Sequence, residues 1–549
     1  VKTTGMALII CFLLVYVTFL GTRPLVIPDE TRYLEIPREM LSTGDWVVPR
    51  LAGVRYFEKP VLGYWVHAVS MSLFGQNRFA GRLPSAAAAG LSALLVFVLL
   101  RKFTSNPRTA LLGAGILLTC IEFFALGVFI VLDGLFSLFV TGTMVFYYLA
   151  CMEKERGRKI GFLIMCGLFC GLGFLTKGFL ALALPAVTIV PFLIWEKRGK
   201  DILTSPWIPA LTALAVSLPW CIRIAVREPD FWRYFIWVEH LGRFASAGGA
   251  QHPEPFWFFI PILIGGAMPW TVLLPAAICG AGKSALKESL IRFAICWFVF
   301  PLLLFSASEG KLGTYILPCF PALAVIMAVG LERYIEAGHR KLFSIAALLT
   351  AAVIAILALV LVALQLFDFG FKLYEPDETE QWILAAIALA AWSGLVALSV
   401  RTAEPWKRIV LFMAAPMLFL VSSHFAFSRE MENEKAPEPF LKKHCASVSR
   451  DSVIVSDDYV GPAVCWFFKR SDILLIGASG ELTYGLKQPD AGNRILSARQ
   501  FKKQIASIGP GKDLVLIVDQ DRYKDLKRFL PTPTVRVMDA GFVFARFRQ

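Results

Sequence analysis

Asp29 and Glu30 stand side by side in Pro28-Asp29-Glu30-Thr31-Arg32-Tyr33, just after the first long apolar run of the chain. Paired carboxylates just after an apolar run lie where a lipid-borne substrate would present its polar head; the same acids also suit the first turn of a helix. A second constellation is Arg55-Tyr56-Phe57-Glu58-Lys59-Pro60, where an acid and a base are neighbours and the proline favours irregular backbone between them. Asp133 and Lys177 are isolated charges at the edges of apolar runs, where snorkelling or capping competes with a functional reading. His240 and Arg243 follow in Trp237-Val238-Glu239-His240-Leu241-Gly242-Arg243, and Lys311 precedes the phenol of Tyr315 in Lys311-Leu312-Gly313-Thr314-Tyr315. Arg32, Arg55, Lys59, Lys177, Arg243 and Lys311 together would make an electropositive mouth suited to a phosphate. Asp29, Glu58 and His240 offer oxygen and nitrogen donors for a divalent cation such as Zn or Mg.

The elements that must carry these residues are membrane spans. Of 549 residues 57% are hydrophobic and 17% charged, against about 45–50% and 25% in an average soluble domain. Apolar runs of span length recur along most of the chain, which predicts an α-helical polytopic membrane protein with about thirteen spans, the first at 5–20 and the last at 408–427. The net charge of +14 lies in short clusters between these runs, among them Arg101, Lys102 and Arg108, and Arg401, Lys407 and Arg408. Such clusters mark cytoplasmic loops rather than a nucleic-acid surface. On that topology every candidate residue falls in outer loops, chiefly 22–82 and 227–256. Two amphipathic helices lying on the membrane surface are expected in the first loop, one through Tyr33, Ile36, Pro37 and Met40, with Arg32, Glu35, Glu39 and Ser42 opposite, and one over 61–74. Residues 1–427 are thus read as the membrane domain and 428–549 as a soluble outer α/β domain. In that tail 452–456, 472–476 and 514–518 read as strands, 499–507 as a helix and 430–439 as a linker. The 11 cysteines are scattered, and only Cys445 and Cys465 look placed for water.

The motifs around Asp29, Glu58, Lys177, His240 and Lys311, together with Gly44-Asp45-Trp46, resemble those of the lipid A aminoarabinose transferases. These are GT-C fold glycosyltransferases that use polyprenyl-phosphate sugars and are related to protein O-mannosyltransferases. The resemblance implies transfer of 4-amino-4-deoxy-L-arabinose from its undecaprenyl-phosphate donor to lipid A. It places the reaction on the periplasmic side of a multi-pass inner-membrane protein, with resistance to polymyxin and cationic peptides as the consequence. It further implies Asp29 as the essential acid, Asp133 as a second important acid, Lys59 at the carrier phosphate, and Glu58 and His240 as metal ligands; Arg243, Lys311 and Tyr315 are added from position alone. Gly313 stands where the family commonly has proline.

Two other functions compete. Another GT-C transferase with a different lipid-linked sugar or acceptor would carry the same charged motifs. A transporter or flippase would place ionisable groups near the bilayer midplane on broken helices, whereas these charges gather at one edge.

Overall fold

The structure, a computed structural model, describes residues 2–242, 252–477, 479–509 and 512–548. By packing, the chain divides into two compact units: Val1–Leu20 with Arg82–Ala426, and Gly21–Gly81 with Phe427–Gln549.

The first unit is all helix. Among the described residues nine helices are long and apolar enough to cross a membrane, from Arg78–Phe103 to Pro405–Ser422, and eleven spans result if each of two bent pairs counts as one. The expected thirteen are therefore not reached by length and composition. The segment expected at 5–20 and the later apolar run 180–195 form the shorter apolar helices Gly5–Val17 and Leu180–Trp195, of roughly 20 and 24 Å at 1.5 Å per residue, against a hydrocarbon core of about 30 Å. Helices Arg156–Lys177 and Trp207–Arg227 lie unusually close. A side-chain carbon at Gly171 would stand 2.9 Å from the carbonyl of Ala213, so the glycine is what admits the neighbouring backbone.

The second unit is built on a six-stranded sheet of the tail, with strands β3 (Val453–Ser456), β4 (Leu474–Ile476), β5 (Ile495–Leu496), β6 (Leu514–Asp519), β7 (Val535–Asp539) and β8 (Phe542–Phe547). A small antiparallel pair, β1 (Arg50–Leu51) and β2 (Val54–Arg55), lies in the 21–81 segment. The large sheet runs β5-β4-β3-β6-β8-β7, parallel from β5 to β6 and antiparallel beyond. β6 is a central run, apolar up to its last residue Asp519, and Val455, Leu516, Val518, Val543 and Phe547 meet Phe501 of helix Ala498–Ser507 in the core. The three expected strands and the helix are present. The expected linker instead contains helices Arg429–Lys435 and Glu438–Cys445. Cys465 is fully buried on helix Gly461–Phe468, not exposed, and both it and Cys445 are thiols.

The two expected helices of the first loop are Asp29–Thr43 and Leu62–Phe74. The first does not turn a wetted polar face outward: Glu35, Arg38 and Glu39 are all buried. The face survives burial because it satisfies itself. Arg38 donates twice to Glu35, at 2.6 Å each, and once to the carbonyl of Arg470, while Glu39 accepts the Gly53 N–H at 3.0 Å. Burial nevertheless pushes the carboxyls of Glu35 and Glu39 upward.

One carboxylate ties the 21–81 segment to the tail. Glu438, 2% exposed, accepts from the Leu25 N–H at 3.2 Å, from Arg78 Nε at 3.0 Å and from Lys442 at 2.8 Å, so both ends of the segment meet one side chain. Burial alone would raise its pKa, but the bonds from Arg78 and Lys442 outweigh that and hold it below 4.5. A carboxylate depressed in the folded state adds stability that is complete above its unfolded pKa and is lost as pH falls through the folded one. Thermal unfolding of the purified protein should therefore move to lower temperature between about pH 5 and pH 3 by more than in Glu438→Gln; parallel pH profiles for the two would overturn the clamp.

Candidate active site

In the second unit, Asp29 opens its helix with a side chain 46% exposed and its Oδ1 4.0 Å from Arg32. Arg32, one turn further, is mostly buried and pairs with Glu481 of the tail, which also accepts from the Tyr56 hydroxyl. Burial opposes the charge on Arg32, but Tyr56 and Glu481 outweigh it and hold the guanidinium well above its ordinary pKa. Tyr33 lies against Tyr64 with ring centroids 6.3 Å apart. Arg55 ends β2 with its guanidinium 3.2 Å from Asp490 and 3.3 Å from Gln488, so much of its charge is engaged within the unit. Glu58 is buried, and Lys59 turns its ammonium back to the Glu58 carbonyl at 2.9 Å. Both sit in the bend before Leu62–Phe74, the irregular backbone that Pro60 favours.

In the first unit, Asp133 lies in the first turn of Leu132–Met152 and Lys177 in the last turn of Arg156–Lys177. The two meet at 2.6 Å with side chains only 13% and 10% exposed. The Lys177 ammonium also stands 5.0 Å from the ring centre of Tyr315, on the 3-10 turn Gly313–Cys319. Three of the singled-out residues, from three separate stretches of chain, thus form one cluster. His240 closes over the next residue. Its Nδ1 is 2.9 Å from the Phe235 carbonyl, its Nε2 is 3.5 Å from the Lys177 carbonyl, and its ring meets Phe179 edge-on at 5.3 Å. Gly178 makes this possible: its φ is +70°, and a side chain there would stand 2.7 Å from His240 Nε2. Lys311, 3% exposed, donates to the Glu254 carbonyl at 2.6 Å, and its backbone N–H donates to the His252 carbonyl. Arg243 lies outside the described residues.

An open cleft of about 680 Å³ runs along the same helices. Its lining is almost wholly apolar, from Phe174 and Phe179, beside Lys177 and His240, past Cys170, Leu182 and Ile189 to Ile202 and Pro206. The arrangement can hold a hydrocarbon chain, with Lys177 two residues before the Phe179 that lines it. No group of three or more His, Cys, Asp or Glu side chains gathers as a metal site among the described residues. His240 offers one nitrogen, the Nε2 that is held less closely, and Glu58 belongs to the other unit.

The residue that motif reading passes over here is Glu481. It follows a Gly-Ala-Ser-Gly turn after β4 and reads as ordinary loop; nothing local in the sequence relates it to Arg32. Removing one partner of a largely buried ion pair costs about 3–5 kcal/mol. Glu481→Ala should therefore lower the unfolding midpoint clearly, and Glu481→Gln less. An unchanged midpoint in Glu481→Ala would remove the pair from the list of what holds Arg32 in place.

Residues 1–235 match the family described as dolichyl-phosphate-mannose-protein mannosyltransferase, and 432–546 match the arabinosyl transferase ArnT C-terminal domain. The undecaprenyl phosphate-alpha-4-amino-4-deoxy-L-arabinose arabinosyl transferase of Serratia proteamaculans is 39% identical over 98% of this chain and 97% of its own. That of Aeromonas hydrophila is 37% identical over 94% of each. The fold is that of the crystal structure of ArnT from Cupriavidus metallidurans bound to undecaprenyl phosphate, with a TM-score of 0.83, 22% identity, and coverage of 99% of this chain and 97% of that one.

Proposed function

Because the chain belongs to the family of undecaprenyl phosphate-alpha-4-amino-4-deoxy-L-arabinose arabinosyl transferases, we propose that it is an inner-membrane glycosyltransferase that moves this aminopentose from undecaprenyl phosphate to a phosphate of lipid A. The observation that carries the reading is the position of Lys177, between Phe174 and Phe179, which line an apolar cleft of about 680 Å³. The Lys and Arg clusters in alternate loops support a periplasmic site. Adding a cationic sugar to lipid A lowers the negative charge of the outer membrane, and with it the attraction of polymyxin and other cationic peptides.

The reaction is a displacement at the anomeric carbon. An oxygen of the acceptor phosphate attacks, the bond between that carbon and the carrier phosphate breaks, and the carrier departs with the electron pair. Negative charge grows on the leaving phosphate, so the ammonium group of Lys177 is best used there, where a fixed positive charge lowers the barrier. Tyr315 and Asp133 hold Lys177 in place, and Lys311, Arg55 and Arg243 are candidate contacts for the two phosphates. An acceptor phosphate, with a second pKa near 6, is largely ionised at neutral pH and needs little help from a base. Asp29 then serves to orient the acceptor or to stabilise positive charge on the sugar.

Mass spectrometry of lipid A from cells with and without the gene should reveal an added aminopentose on a phosphate only when the gene is present. At equal membrane abundance, Asp29→Asn, Glu58→Ala and Lys59→Ala should each reduce transfer by at least about tenfold, and full activity in all three would overturn the assignment. His240 is also proposed as a ligand of a divalent cation, Zn or Mg. Exhaustive chelation should then lower activity and metal add-back restore it, and undiminished transfer in chelated enzyme would reject that role.

A further inference from the structure

Glu122 interrupts one of the two bent spans of the first unit. Helix Pro107–Thr119 ends at Cys120, and the chain turns by 69° into Ile121–Gly127. This break is fitted against the other one, where Phe259–Gly266 and Trp270–Ala281 meet at 92°. The Ile121 N–H donates to the Met268 carbonyl at 3.1 Å, and the Trp270 indole donates to the Thr119 hydroxyl at 2.8 Å. Gly266 makes room for the acid between the two breaks, since any side chain there would collide with Glu122 Oε2. Helix Ile121–Gly127 also packs on the turn that carries Tyr315 and on the helix that begins with Asp133.

Both carboxylate oxygens of Glu122 are closed to solvent, and among the described residues neither has a hydrogen-bond partner. Asp133, on the helix packed against Ile121–Gly127, is a charge of the same sign. An acid left alone inside an apolar bundle is costly, and such a residue calls for a named partner. This end of the unit has Lys177 for Asp133 and no protein cation for Glu122 among the described residues.

On the reading given above, the donor headgroup supplies that cation. It is a zwitterion, with an anionic phosphate at the anomeric position and a primary amine, an ammonium at neutral pH, at the far side of the sugar. We propose that Glu122 is a specificity-determining residue that accepts the ammonium of the donor sugar, while Lys177 faces its phosphate. The inference rests on the donor assigned above. A buried carboxylate discriminates well at such a position. The ammonium gives it a charge-assisted hydrogen bond, whereas a hydroxyl at the same carbon gives one neutral bond and leaves the charge uncompensated.

The test uses the full-length protein in nanodiscs and two synthetic polyprenyl-phosphate donors that differ only in carrying an amine or a hydroxyl at C4. Wild-type protein should prefer the amino donor. Glu122→Gln, of equal volume, should lower kcat/KM for the amino donor by at least about tenfold and change that for the hydroxy donor by less than about twofold. Gly266→Ala, which keeps the acid but displaces it, should narrow the preference in the same direction. Equal losses on both donors, or an amino-donor preference kept by both variants, would overturn the role of Glu122 and leave the transferase reading intact. Wild-type protein that transfers neither sugar to a phosphate-bearing acceptor would overturn the reading and this inference together.

Discussion

An ammonium group at the end of an apolar helix bundle needs a partner to remain charged there, because taking an ion out of water costs several kcal/mol even after relaxation. Lys177 meets that requirement through Asp133 at 2.6 Å and through the face of Tyr315. Much of the first unit follows from it. The pair joins the last turn of one long helix to the first turn of another, and each charge lies at the helix end whose partial charge favours it. The backbone then turns at Gly178, where the absence of a side chain lets His240 come down onto the Lys177 carbonyl. Phe179, the following residue, carries the chain to the apolar cleft. A charge, a left-handed glycine and an aromatic at three successive positions thus connect an enclosed ammonium group to an apolar groove.

The second unit solves the same problem with more polar material. Helix Asp29–Thr43 is buried along a face that contains Glu30, Glu35, Arg38 and Glu39, which would be prohibitive if each charge had to be desolvated alone. Each has a partner on the helix itself or in the chain packed against it, as with Arg38 on Glu35 and Glu39 on the Gly53 N–H. Arg32 continues the pattern with Glu481 and Tyr56. The neighbouring Asp29 keeps a side chain 46% exposed, so the helix is rigid where it is covered and offers one acid where it is open.

How much of this was legible in the sequence depends on whether the signal was local. The spans, the Asp29–Thr43 and Leu62–Phe74 helices and the β3, β4 and β6 strands carry their own periodicity or apolar runs, and each was readable. The two-residue β5 has too few positions to show a period. The β7–β8 hairpin turns at Ala540 and Gly541, both at positive φ, and the Asp-Ala-Gly that marks it is weaker than the usual hairpin dipeptides. The burial of the polar face of Asp29–Thr43 is not legible, because amphipathicity reports only that two faces differ; it says nothing of a cover supplied some 400 residues later. Distance in sequence likewise hides Glu481 from Arg32 and Glu438 from Leu25 and Arg78. Glu122 is different. A single acid inside an apolar run is visible in the sequence, but its two unanswered oxygens are not.

The surroundings of Asp29 also bear on which part of the chemistry is hard. Proteins make a strong carboxylate base by burying it away from cations. Asp29 has the opposite setting, nearly half exposed with a guanidinium 4.0 Å away. That setting suits an acid that orients a partner or answers developing positive charge, and it fits an acceptor that arrives already ionised. An enzyme with a hydroxyl acceptor would have to deprotonate a group some ten pK units less acidic than a phosphate, roughly 14 kcal/mol at 1.36 kcal/mol per unit, and would gain from moving its acid inward. On the proposed reaction the burden falls instead on the leaving phosphate, and an enclosed ammonium such as that of Lys177 is the kind of fixed charge that such a leaving group needs. The division of labour between an open acid and enclosed cations follows from the acceptor's charge before any detail of the sugar is considered.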